Sequence, residues 1–376
     1  MTVEILFSVA ILLIFAKIFG EIAERLKVPS LVGEMTGGFI AGPLLNFVSP
    51  SPLLGEMANL GMLFAIFLIG LNIDVEKTKG NTKQGISLGI AGAVVPFILG
   101  FAAGYYFYDF KAAVVIGIAF MSTSSGISSR AMSSLGELNS KAGKLITSAV
   151  LYGDMISIIG LSTFIGYFSF SEAWKSATVF FILSLSIIVI AAALSKRIGQ
   201  FFGFLEEMND DQFIVAAALV AVFLLSYATQ QAGIAAVSGA FVAGLLLGKS
   251  PLTESVIEPK IRTVSNGFFV PLFFAYVALS AGTGVQAQHF VPLFLLMTAA
   301  KFIGSGILTR HYGFGGRDQL TVGIAMMPRG EISIIAAYVA MTASLIGPAV
   351  FTLVVLLSIA SIVLTSLLFQ VFVKRW

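Results

Sequence analysis

The chain has 376 residues, 57% of them apolar and only 11% charged, with a formal net charge of +3. An ordinary soluble domain carries about 25% charged residues, so a soluble fold of this size could not cover its surface, and lipid must be the outer solvent. The sequence contains no cysteine, which excludes disulfides and thiolate metal sites. His289 and His311 stand far apart at loop edges, which argues against zinc, and the scattered basic residues form no stripe that would fit nucleic acid.

The chain begins Met1-Thr2-Val3-Glu4, with an acid where a cleaved signal needs a basic segment, so the first apolar run is expected to be retained. A span needs about 20 mostly apolar residues. Runs broken at charged or Gly/Pro/Asn clusters predict thirteen, at about 4–26, 30–47, 56–74, 82–108, 111–136, 139–168, 173–197, 210–231, 234–249, 256–282, 288–311, 317–343 and 346–374. No soluble domain is expected after the last. Basic residues test the count, because cytoplasmic loops hold an excess of Lys and Arg. Loops after odd-numbered spans hold Arg25, Lys77, Lys79, Arg130, Lys196 and Arg262, among others; loops after even-numbered spans hold Lys111 and Lys175. A miscounted span would scramble that alternation. The N-terminus is therefore expected outside the cytoplasmic membrane and the C-terminus inside. An odd total permits two six-span units of opposite orientation, spans 1–6 and 8–13, around one linker span. No internal sequence repeat supports this pairing, which rests on topology.

Ionisable groups deep in a bilayer are costly and default to functional hypotheses. Span midpoints place Asp154 at the centre of span 6, Lys301 near the centre of span 11, and Arg329 and Glu331 on either side of Gly330 at the centre of span 12. Glu34, Glu56 and Asp74 fall near span ends, and Lys17 is expected to snorkel toward the inner interface. Spans 5 and 12 look broken at this same depth. Span 5 holds Ser122-Thr123-Ser124-Ser125-Gly126, hydroxyls that compete for backbone bonds followed by a flexible glycine. Span 12 holds Met327-Pro328-Arg329-Gly330, where proline removes a ladder donor. Broken helices at matching repeat positions point to a transport site. Singly, each feature has a bland reading: hydroxyls as packing glue, Pro-Arg-Gly as a kink, an aspartate paired with a lysine for assembly. Their common depth and matching positions favour function.

At these residues the chain resembles the monovalent cation:proton antiporter superfamily, closest to its second family of sodium/proton and potassium/proton exchangers. Segments carrying the resemblance are Pro29-Ser30-Leu31-Val32-Gly33-Glu34, Phe67-Leu68-Ile69-Gly70-Leu71-Asn72-Ile73-Asp74, Leu135-Gly136-Glu137-Leu138-Asn139 with Gly153-Asp154, Ser238-Gly239-Ala240-Phe241-Val242-Ala243-Gly244, and Pro328-Arg329-Gly330-Glu331. The resemblance implies an all-α polytopic membrane protein of about 13 transmembrane helices in two inverted-topology repeats, its two broken helices crossed. It implies a homodimer with a mobile core (about 82–168 and 288–374), a scaffold (about 1–74 and 210–282), a linker helix (about 173–197) and elevator-type alternating access. It also implies site roles: Asp154 binds the cation or the proton, Thr123, Ser124 and Ser125 lie near it, and Lys301 is the core base, with Arg329 and Glu331 as further core charges and Gly126, Pro328 and Gly330 at the helix breaks. No cofactor is expected beyond the transported Na⁺ or K⁺ and H⁺.

One departure matters. Family members commonly carry Asp-Asp or Asn-Asp where this chain has Gly153-Asp154. Gly153 cannot pair with Lys301, which must turn to Glu331 or Asp154 or be uncharged. One acid instead of two implies electroneutral exchange, one cation per proton. If Asp154 takes up and releases a proton near neutral pH, protonation and cation binding exclude one another, and hard alkali cations suit its oxygens and those of the Ser/Thr cluster. Arg329 is expected to stabilise helix C-terminal ends more than to touch the ion path. The rivals fare worse. An intramembrane aspartyl protease needs two opposed aspartates; a channel would show a filter-like element; a sodium-coupled organic-anion symporter would need a larger polar cavity. Potassium/proton exchange stays open as an alternative, and an enzyme is not expected.

Overall fold

A computed structural model of the chain describes residues 2–73, 82–134, 136–169, 177–204, 211–250, 252–282 and 287–372. Asp74, Leu135, Lys77, Lys79 and Lys175, used in the sequence reading, lie outside the described residues.

In chain order the α-helices are α1 (Thr2–Arg25), α2 (Ser30–Phe39), α3 (Pro52–Leu71), α4 (Thr82–Phe107), α5 (Phe110–Met121), α6 (Ser125–Ser134), α7 (Lys141–Ser169) and α8 (Ala177–Phe204). They continue as α9 (Asp211–Gln231), α10 (Ala236–Leu247), α11 (Glu258–Val264), α12 (Val270–Leu279), α13 (Ala287–Lys301), α14 (Gly316–Ala325), α15 (Glu331–Thr342) and α16 (Pro348–Phe372). No strand occurs among the described residues, as lipid demands of an open chain that must satisfy its own backbone. Nine of the described helical segments are long and apolar enough to cross a membrane, and the shorter apolar helices among the described residues include Ala236–Leu247 and Glu331–Thr342. Each of the thirteen expected spans has its helical counterpart. Spans 5 and 12 are each divided, into α5 and α6 and into α14 and α15. Three others widen into π-helical turns at Ile40–Leu44, Thr253–Ile257, Ser265–Phe269 and Phe302–Ile307. Pro43, Gly267, Gly304 and Gly306 lie in these turns, where a weak or missing rung lets the ladder slip by one residue.

Contacts divide the chain into two compact units, and the chain passes between them within α1, α2 and α7. The first unit holds α1 through Ile18, α2 from Glu34, α3, α7 from Ile158, and α8–α12. One of its cores joins Leu12, Ala16, Ala41, Leu54, Leu272 and Ala275, all fully shielded. Close backbone approach sets the α3–α10 contact: a Cβ at Gly70 would stand 2.4 Å from the Phe241 carbonyl oxygen, and one at Gly244 would stand 2.3 Å from that of Phe67. Small residues do the same work in membrane bundles generally, because lipid offers no hydrophobic drive for helix association.

Glu34 lies at the fifth position of α2, close to the start of that helix as expected, and faces inward. It is only 6% exposed, with its carboxylate 3.9 Å from the Lys17 ammonium, which also donates to the Asn266 carbonyl at 2.6 Å.

The second unit holds Phe19–Gly33, α4 to α7 as far as Ser157, and α13–α16. Its core draws Leu88 from α4, Leu145, Ala149 and Val150 from α7, and Val322, Ala325 and Met326 from α14. Asp154, Lys301, Arg329 and Glu331 all belong to this unit.

Candidate ion-binding site

Helix α5 stops at Met121, where Ser122 turns extended (φ −68°, ψ 156°), and α6 starts at Ser125. Helix α14 stops at Ala325, and α15 starts at Glu331. The two interruptions cross: the Ser124 amide donates to the Pro328 carbonyl at 2.9 Å. Hydroxyls complete the crossing. Ser122 Oγ and Ser333 Oγ lie 2.5 Å apart, Ser333 Oγ donates to the Ala119 carbonyl at 2.7 Å, and Ser128 Oγ donates to the Ala325 carbonyl at 2.6 Å. Thr123 Oγ1 points to the Met326 carbonyl at 3.4 Å.

The first interruption ends sooner than expected. Ser125 and Gly126 lie in the opening turn of α6, because Ser128 already closes that turn through its amide onto the Ser124 carbonyl at 3.0 Å. Ser122, Thr123 and Ser124 form the break itself, and Pro328 and Gly330 lie in the second one.

Each half-helix ending leaves carbonyls without intrahelical donors and a negative dipole end. Two buried cations serve these ends. Lys301 is 0% exposed and donates to the carbonyl of Met121, the last residue of α5, at 2.6 Å, and to that of Gly92 in α4. Among the described residues no carboxylate lies within ion-pairing distance of it. Neither acid considered from the sequence is its hydrogen-bond partner. Arg329, also 0% exposed, spreads its guanidinium over the carbonyls of Ser122 (2.9 Å), Met326 (3.4 Å) and Met297 (3.2 Å), while its own amide donates to Ser361 Oγ at 2.9 Å.

The half-helix beginnings have the opposite polarity. Glu331 occupies the first turn of α15 and accepts from Ser124 Oγ, just before α6, at 3.2 Å, so one carboxylate faces two positive dipole ends.

Asp154 stands apart from these pairings. It is 2% exposed within α7, its Oδ1 has no hydrogen-bond partner, and it interacts electrostatically with Lys301 and Glu331. There is room beside it in the chain: a Cβ at Gly153 would find nothing nearer than the Gly89 carbonyl oxygen, 4.0 Å away. A buried carboxylate oxygen without a donor is costly, and it is the atom here that lacks what a proton or a hard cation would supply.

Sequence reasoning placed Ser122 in the broken run without giving it a role, and it missed Ser333, Ser361 and Gly92. Ser122 was visible at the head of the hydroxyl run and Ser333 two residues after Glu331; Ser361 and Gly92 carried no local signal.

The crossing leaves no space at Gly330. A Cβ there would stand 2.5 Å from Ser124 Cβ and Oγ and 3.1 Å from its Cα. Gly330→Ala is expected to force the crossed segments apart, costing about 1–3 kcal/mol and lowering both the thermal midpoint in detergent and the transport rate. Gly126→Ala meets only Glu331 Oε1 at 3.9 Å and should keep the wild-type midpoint. Equal midpoints for the two variants would contradict the packing described.

A bundle with crossed broken helices, cations on its C-terminal half-ends and an unpaired buried carboxylate defines a secondary transporter of the ion-exchanging class. The sequence matches the family described as sodium/hydrogen exchanger, transmembrane, over residues 10–375, and the chain belongs to it. Sodium/proton antiport, expected from the sequence, agrees with that membership. The chain is 29% identical over 357 residues to the probable Na⁺/H⁺ antiporter GerT of Bacillus cereus, covering 93% of this chain and 94% of that protein. It is 26% identical over 372 residues to the Na⁺/H⁺-K⁺ antiporter GerN of the same organism, covering 97% and 95%. Its fold is similar to that of the sodium proton antiporter MjNhaP1 from Methanocaldococcus jannaschii, with a TM-score of 0.78, 17% identity and 99% of each chain covered.

Proposed function

We propose that the protein exchanges Na⁺ for H⁺ one for one across the cytoplasmic membrane, with Asp154 as the group that holds either ion. The observation that carries this reading is the buried, unpartnered Oδ1 of Asp154 in a site whose other charges are already engaged. Lys301 and Arg329 are held on carbonyls and Glu331 on a hydroxyl and two helix beginnings. Proton or cation neutralises Asp154, and the neutral site crosses the low-dielectric interior at far lower cost than the bare carboxylate. That difference couples the two fluxes. We take the oxygens of Thr123, Ser124 and Ser125 as the candidates to complete the cation's shell.

The reading extends to the assembly. The unit holding Asp154 acts as the moving core and the other as a scaffold through which two copies pair, the N-terminus outside and the C-terminus inside. The division of contacts supports this assignment, with α7 shared between the units at Ser157. Potassium stays a second candidate ion, since GerN is described as an Na⁺/H⁺-K⁺ antiporter.

Competition on one carboxylate makes a measurable demand. In proteoliposomes containing a pH-sensitive dye, the apparent sodium KM should rise by about tenfold for each pH unit of acidification once protons dominate the site. Maximal rate under saturating sodium should change far less, and clamping the membrane voltage should leave the rate unchanged. A sodium KM independent of pH would refute the shared site; a rate that follows voltage would refute one-for-one exchange.

A further inference from the structure

We propose that Pro96 is a positioning residue for the ion site: by withholding a backbone N–H it leaves the Gly92 carbonyl as an acceptor that keeps the Lys301 ammonium off Asp154. The inference rests on the reading of Asp154 given above.

In the interior of α4 the amide of residue 96 would donate to the carbonyl of residue 92. Proline has no amide hydrogen, so that carbonyl loses its rung. An unpaired carbonyl at membrane depth is costly and must find a donor. It finds Lys301, the last residue of α13, 209 positions along the chain. The second acceptor is equally an orphan: Met121 is the final residue of α5, and the backbone turns extended immediately after it. Two orphaned carbonyls from two helices therefore hold one fully buried ammonium.

The neighbouring chain is shaped for this approach. After Lys301 the helix widens into the π segment Phe302–Ile307, and Gly304 there lies directly against α4. A Cβ at Gly304 would stand 3.0 Å from the Ala91 carbonyl oxygen, 3.4 Å from Val95 Cβ and 3.5 Å from Pro96 Cδ. On the facing helix, a Cβ at Gly92 would stand 3.4 Å from Met326 Cε and 3.6 Å from Ser305 Oγ.

The consequence concerns competition for Asp154. Lys301 is close enough to interact with that carboxylate electrostatically, and Gly153 supplies no other acid for it. An ammonium free to swing would compete with sodium for the same oxygens. Carbonyl dipoles attract the ammonium without consuming a carboxylate, so the lone acid stays available for the transported ion.

Pro96→Ala restores the N–H, which takes the Gly92 carbonyl and removes one of the two acceptors of Lys301. The expected result in proteoliposomes is a sodium KM raised roughly tenfold, the scale of one lost hydrogen bond to a charged group, with a smaller change in maximal rate. In a Lys301→Met background the same substitution should add nothing to KM, because the competitor is gone. Pro292→Ala, which restores an N–H elsewhere in α13, should leave KM at its wild-type value. Occupancy provides a reading independent of turnover: sodium protection of Asp154 against a carbodiimide, followed by mass spectrometry of the labelled peptide, should need roughly tenfold more sodium in Pro96→Ala. A Pro96→Ala protein with wild-type KM and wild-type protection would overturn the inference, as would effects of Pro96→Ala and Lys301→Met that multiply in the double variant. Asp154→Asn, assayed alongside, separates the two readings. Exchange persisting in that variant removes the reading of the site, whereas its loss combined with an unchanged Pro96→Ala removes the role of Pro96 alone.

Discussion

Asp154→Asn should lower sodium-driven proton release from proteoliposomes by at least about a hundredfold, equivalent to about 3 kcal/mol, while the protein folds as before. The substitution is nearly isosteric but leaves an amide that is neither protonated nor charged in the working pH range. Because Oδ1 makes no hydrogen bond, no bond is broken by replacing it. The thermal midpoint in detergent should therefore be no lower than that of the wild type, since a buried charge without a donor is itself a burden on the fold. Activity lost together with the fold would point to a structural aspartate. Activity retained would show that another group carries the ion.

Arg329→Met should act in the opposite way, on the fold before the transport. Its guanidinium is fully buried, holds the Ser122 carbonyl of one interruption and the Met326 carbonyl beside the other, and reaches Met297 in α13. Methionine fills much of the volume but donates nothing, so at least the Ser122 and Met297 carbonyls lose their guanidinium donor in an apolar interior. At about 1–3 kcal/mol for each stranded acceptor, partly offset because a buried charge is also removed, the net loss is on the order of 3 kcal/mol. Unfolding followed by fluorescence in detergent, with sodium absent, measures this. Arg329→Lys should recover only part of it, since a single ammonium cannot span carbonyls that the planar fork bridges. A midpoint for Arg329→Met equal to the wild type would mean that the crossing is held by its hydroxyls and backbone bond alone.

These two outcomes separate roles that look alike in the sequence, where Asp154 and Arg329 are both charges at span centres. The difference lies in their partners. Arg329 lies in the second interruption and reaches across to the carbonyl of Ser122, 207 residues away, so its positive charge is absorbed by helix ends. Asp154 lies within the continuous helix α7, whose own carbonyls and amides are already paired, and its carboxylate has nothing comparable to bind.

Gly126 shows where reading by composition fails. Gly126 looked like part of an interruption because glycine loosens helices; Ser128 nonetheless closes the first turn of α6 onto Ser124, and the helix resumes one residue before the glycine.

By itself the sequence determined the membrane class, the order of its apolar helical segments, the two interrupted helices and the residues that bear charge near span centres. These follow from local run length and composition, because lipid admits few ways to satisfy a backbone and penalises every misplaced charge. Only the tertiary structure decided that the interruptions cross, that Lys301 is held on carbonyls freed by Pro96 and by the end of α5, and that Asp154 is left without a donor. Those outcomes depend on groups about two hundred residues apart arriving at one point, and no periodicity or spacing along a single helix records which orphaned carbonyl will meet which cation.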